Sequence, residues 1–151
     1  MVRVQSVGTL PAGLTRASLH SLVALACRRA GARGNLAVAI RVADDRTVRE
    51  LNRVHRGKDK VTDVLSFSYA DGLPPAMRGT KEGRRELGDI VIALPQVRRQ
   101  AKAIGRPVKA EFALMVVHGV LHLLGHDHES VAQEQAMFSL QHDILIRAGI
   151  L

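Results

Sequence analysis

PVKAEFALMVVHGVLHLLGHDH, residues 107–128, combines a long apolar stretch with four of the chain's seven histidines. Pro107 suits the first turn of a helix, where a missing N–H costs nothing. Val108, Phe112, Met115, Val116, Val120 and Leu121 then spread apolar side chains around nearly the whole helix to Leu124. Such a helix belongs in a core, covered by other elements. Across the chain, no uncharged apolar run reaches the ~18 residues of a membrane span.

The flanking sequence supplies the cover. MVRVQSV (1–7), LAVAIRVA (36–43), VLSFSY (64–69) and LGDIVIAL (87–94) read as strands, with Val2, Val4 and Ser6 sharing one face of the first. The third and fourth are expected to pair across ADGLPPAMRGTKEGRRE (70–86), which has no apolar period and reads as a mobile loop. Thr15 can cap a helix running to about Gly31, with Leu19, Leu22, Val23 and Ala26 as its apolar stripe. Asp44 or Asp45 can cap a short helix in which Val48, Leu51 and either Val54 or His55 recur at helical spacing. Pro95 opens a helix that Gly105 stops, and Ser130 with Gln133 makes a capping box for a last helix to about Ala148. The expected fold is α+β: a small mixed four-stranded sheet packed with about five helices, in one domain spanning residues 1–151.

Lys and Arg number 22 against 14 Asp and Glu, a net charge of +8. That excess suits a polyanionic partner, because each phosphate contact releases counterions. A basic but unpartnered surface would give the same count. Cys27, the lone cysteine, excludes an internal disulfide and reads as core. With no apolar signal-like segment in MVRVQSVGTLPAG, the cytoplasm is the expected compartment, with no membrane partner.

His118 and His122 lie four residues apart, one above the other on a helix face. Gly125 can then take a positive φ, end the helix and turn the chain back. A third imidazole after the turn can approach the same ion, leaving a fourth tetrahedral position open. The spacing HxxxHxxGxxH selects His128; His126 follows the glycine directly and needs a tighter turn. Asp127 can orient a ligand ring or merely cap the turn. The spacing is that of the metzincin proteases, so this is a zincin-like metal helix. Gly119, however, stands where those enzymes carry their glutamate base. The pattern therefore argues for a three-histidine hydrolytic site and against a peptidase of that type. Three imidazoles suit zinc, one ion per chain, and also admit nickel, iron or copper. His20 and His142 lie outside the motif and read as surface or packing residues.

The histidine block, with LNRVHRGKDKVTDVLSF (51–67) and LGDIVIA (87–93), resembles the YbeY family of bacterial endoribonucleases and rRNA maturation factors. The resemblance implies a metal-dependent, single-strand-directed endoribonuclease. It would act in 3′-end maturation of small-subunit (16S) rRNA and in ribosome quality control. Its partners would be single-stranded rRNA or pre-rRNA and the small ribosomal subunit or an associated protein. The family's zinc ligands fall on His118, His122 and His128, and its important arginine falls on Arg56 as a catalytic residue. Bottom-up, a guanidinium at Arg56 can clamp phosphate oxygens in a bidentate fork. By charge pattern alone it is one cation in a run with Lys58 and Lys60.

Thr62 and Asp63 read as turn residues, Ser66 as either substrate-binding or polar-face, and Asp89 as a structural hydrogen bonder. Arg78, Lys81, Arg84, Arg85, Arg98, Arg99 and Lys102 could form a basic track for RNA. Two other functions compete: a metal-dependent hydrolase of another substrate, and a non-catalytic ribosome-assembly factor with a structural metal. A fourth protein ligand, such as His126, would favour the latter.

Overall fold

A computed structural model describes residues 1–69, 80–81 and 83–151. The strands are β1 (Val2–Val7), β2 (Leu36–Ala43), β3 (Val64–Ser68), β4 (Thr80–Lys81) and β5 (Arg84–Ala93). The helices are α1 (Arg16–Arg29), α2 (Asp45–Arg56), α3 (Leu94–Ile104), α4 (Val108–Leu123) and α5 (Val131–Arg147). Four strands form the sheet in the order β1-β2-β5-β3, and the two-residue β4 adds to one end of β5. β1, β2 and β5 run parallel, while β3 is antiparallel to β5. The mixed α+β architecture is therefore the one the sequence implies.

The helix ends follow their capping residues. The Thr15 hydroxyl accepts from the Ser18 N–H at 3.0 Å, and Ser18 Oγ accepts in return from the Thr15 N–H at 2.8 Å. Ser130 and Gln133 form the same reciprocal pair at α5, and Asp44 caps α2 through the Thr47 N–H. Gly57 and Gly105 take left-handed backbone (both φ 68°) to end α2 and α3.

α4 lies in the main core, where Phe112, Val116, Val117, Val120 and Leu121 are fully buried with residues of α1, α5 and the sheet. Cys27 belongs to this core, and burial pushes its thiol up to about 11. A smaller cluster joins Val48 of α2 to Leu65, Val91 and Ala93 of the sheet.

One expectation is corrected. Of the stretch 70–86, residues 70–79 and 82 lie outside the described residues, but β4 and the first residues of β5 are strand. Arg85 pairs with Thr80 on one side and Leu36 on the other, and its N–H donates to the Asn35 carbonyl at 2.8 Å. Backbone pairing there needs no apolar side chain, so no apolar period marks it. In α2 the expected stripe runs through Val48, which is buried, Leu51, which packs against the same cluster, and His55, whose ring meets Phe67 edge-on at 5.2 Å, while Val54 is exposed.

β5 carries a bulge. Ala37 pairs with Glu86 but Val38 with Gly88, leaving Leu87 as the extra residue. Gly88 adopts φ 146°, and a Cβ there would run into the Phe67 carbonyl oxygen and within 2.9 Å of Leu123. Gly88→Ala is expected to cost about 2–4 kcal/mol through strain and overpacking. Urea unfolding measures this, and a loss within ~0.5 kcal/mol would mean that the bulge relaxes freely.

Candidate metal centre

α4 and the turn after it bring three imidazoles together. One ring nitrogen from each of His118, His122 and His128 lies within 4.8 Å of the other two. His118 Nε2 and His122 Nε2 are 2.9 Å apart, and the ring centroids of the three residues stand 4.4, 5.8 and 5.2 Å from one another. Tetrahedral zinc with Zn–N of about 2.0–2.1 Å needs its ligand atoms roughly 3.3 Å apart, a spacing that lies between the 2.9 Å of the His118–His122 pair and the 4.8 Å bound of the group. Burial holds both His118 and His122 below the ordinary imidazole pKa, opposed at His118 by its bond to Gln141. The neutral ring that metal binding requires is thereby favoured.

Gly125 (φ 93°) makes the turn, and the His126 N–H donates back to the Leu121 carbonyl at 3.0 Å. His126 stands outside the three-nitrogen group, and among the described residues no fourth His, Cys, Asp or Glu joins it. Asp127 accepts the His128 N–H at 2.7 Å and so caps its own turn. Gly119 faces the sheet: a Cβ there would sit 2.9–3.1 Å from three atoms of the Ile90 side chain. Packing thus explains why the metzincin glutamate has no counterpart here, since position 119 points into the core.

The triad forms one wall of a cleft of about 660 Å³, whose lining includes Asp63, Ser66 and Ser68 of the β3 region. Arg56, the last residue of α2, lines the same cleft. Its Nη2 donates to the Ser66 carbonyl at 2.7 Å, and its guanidinium lies over the Phe67 ring at 5.6 Å. Lys58 and Lys60 also line the cleft. Asn52, 2% exposed, donates from Nδ2 to the Lys60 carbonyl at 2.9 Å and holds that segment against α2.

The other predicted residues divide. Asp63 accepts from the Val64 N–H and from Gln100, and Asp89 accepts from the Tyr69 hydroxyl at 2.7 Å. Both therefore have structural hydrogen bonds. The cations expected to form a basic track stand apart from this cleft. Arg78 and the Lys81 side chain lie outside the description, and none of Arg84, Arg85, Arg98, Arg99 and Lys102 lines the cleft. Arg99 instead bonds Asp45 and Gln96. His20 Nε2 donates to the Val2 carbonyl at 2.6 Å on the surface, and His142 is exposed.

Two side chains at the site escape the sequence reading: Asn52 and Gln141. Gln141 is 5% exposed on α5, with Oε1 2.7 Å from His118 Nδ1. Its signal was a glutamine within the buried set Met137, Ile144 and Leu145.

This constellation coincides with a family match. The model of the family described as endoribonuclease YbeY fits residues 8–149. The chain belongs to the YbeY family. A Persephonella marina endoribonuclease YbeY is 50% identical over 111 residues, 73% of this chain and 69% of that one. An Alkalilimnicola ehrlichii endoribonuclease YbeY is 43% identical over 150 residues, covering 99% and 87%. A Thermotoga maritima protein of known solution structure superposes with a TM-score of 0.61 at 26% identity, over 98% of this chain and 89% of its own. Among the described residues, this YbeY-family protein has no helix long and apolar enough to cross a membrane.

Proposed function

We propose that this YbeY-family protein is a metal-dependent endoribonuclease that cuts single-stranded RNA. It would act in 3′-end maturation of small-subunit rRNA and in ribosome quality control, as one domain over residues 1–151. The observation that carries the reading is the cleft itself: three convergent imidazoles and Arg56, Lys58 and Lys60 line one cavity. His118, His122 and His128 would hold zinc, one ion per chain. The chemistry supplied there is Lewis acidity toward the scissile phosphate.

The chain's own residues supply the rest. Lys58 and Lys60 draw in the RNA backbone. Arg56 clamps non-bridging phosphate oxygens and offsets the charge that builds on phosphorus as the bond breaks. Its bond to the Ser66 carbonyl and its contact with Phe67 set its position before substrate arrives. A cleft of this volume has the scale of a small-ligand site, about 300–1,000 Å³, and admits a nucleotide-sized segment more readily than a duplex. Such a role belongs in the cytoplasm, beside the small subunit or a protein associated with it.

The test is cleavage of an internally labelled RNA carrying a small-subunit rRNA 3′ end, single-stranded and annealed to its complement. Internal cuts confined to the single strand are expected. Cutting only from an end, or equal cutting of both forms, would refute the reading.

A further inference from the structure

We infer that Gln141 is a positioning residue for the metal centre, fixing His118 in the tautomer that presents Nε2 to the ion. The inference rests on the three-histidine reading of the site. His118 has two ring nitrogens with different surroundings. Nε2 faces His122 Nε2 at 2.9 Å, within the metal-binding group, while Nδ1 faces Gln141 Oε1 at 2.7 Å on α5. A carbonyl oxygen only accepts, so this contact requires the proton on Nδ1. The neutral ring then has a lone pair on Nε2, directed at the other two imidazoles. Metal-bound histidines generally use their second nitrogen in this way.

The placement requires two elements from different parts of the chain. His118 is on α4 and Gln141 is 23 residues later on α5. Gln141 shares the buried face of α5 with Met137, Ile144 and Leu145. A polar side chain among those apolar ones is costly unless it is hydrogen-bonded, and His118 supplies that bond. Gln141 is also neutral. It orients the ring without adding a negative charge behind it, as a carboxylate acceptor would.

Three proteins test this: wild type, Gln141→Leu and Gln141→Glu. Zinc affinity is read by competition with a chromophoric chelator. The His118 tautomer is read in metal-free protein from imidazole ¹⁵N shifts at a pH where the ring is neutral. Gln141→Leu is expected to weaken zinc binding about 10–100-fold and to move the His118 proton from Nδ1 toward Nε2. Gln141→Glu keeps an acceptor at the same place, so it is expected to hold the wild-type tautomer and bind zinc at least as tightly.

Zinc affinity of Gln141→Leu within twofold of wild type would overturn the inference, as would an unchanged tautomer. Equal weakening in both variants would also overturn it, because that pattern reports packing rather than acceptance of the Nδ1 proton. A wild-type protein that binds no zinc would instead defeat the metal reading, while the tautomer measurement would still judge the role of Gln141.

Discussion

Alanine at both His118 and His122 is expected to yield a folded protein that retains no metal and cleaves RNA at least about 10³-fold more slowly. The two rings sit one turn apart on α4 with their Nε2 atoms 2.9 Å from each other, so the double change removes two of three donors. His128 alone, exposed after the Gly125 turn, makes no comparable site. The fold should survive. Both rings lie toward the cleft, and the surrounding α4 core of Phe112, Val116, Val120 and Leu121 is untouched. Metal analysis of the purified protein and its circular dichroism spectrum check both halves. Undiminished cleavage in a metal-free variant would place the chemistry elsewhere.

The second large effect falls on Arg56. Arg56→Ala is expected to lower kcat by about 10²–10³-fold, the usual cost of losing one group that stabilises transition-state charge. Arg56→Lys restores little, because an ammonium lacks the planar fork that grips two phosphate oxygens. The metal content should stay at the wild-type level, since Arg56 is not among the clustered nitrogens. Stability should change by less than ~1 kcal/mol, because the side chain is exposed and its one hydrogen bond is at the cleft rim. A rise in KM with kcat intact would instead make Arg56 a residue for RNA docking alone.

These two predictions concern residues that stand out in the linear sequence, and the reason is locality. His118 and His122 share a helix face because of their spacing, and Gly125 turns the chain because glycine tolerates a positive φ. The caps at Thr15, Asp44 and Ser130 are likewise contained within four residues. What escapes is non-local. Gln141 and Asn52 look like ordinary polar helix residues until α5 meets α4 and the GKDK segment folds back on α2. The start of β5 escapes because its partners on β2 and just before it, Leu36 and Asn35, lie some fifty residues earlier in the chain. The separation of the candidate basic track from the cleft is non-local too. Charge counts show how many cations exist, whereas the sheet order and helix docking decide which of them face the cleft.

Gly119 shows the opposite case, where the structure supplies the cause of a visible departure. The missing glutamate is legible in the sequence, but only the approach of Ile90 shows that the position is closed to any larger side chain. A base for the reaction must therefore come from another direction. The cleft's carboxylates, Asp63 and Asp127, are each tied to their own turns by a backbone N–H.

The dependence of cleavage on metal is read by stripping the wild-type protein with a chelator, removing the chelator, and titrating zinc back while following RNA cleavage and bound metal together. Cleavage is expected to disappear in the stripped protein and to return in proportion to zinc, saturating at one ion per chain. Full cleavage by protein shown to be metal-free would contradict that dependence.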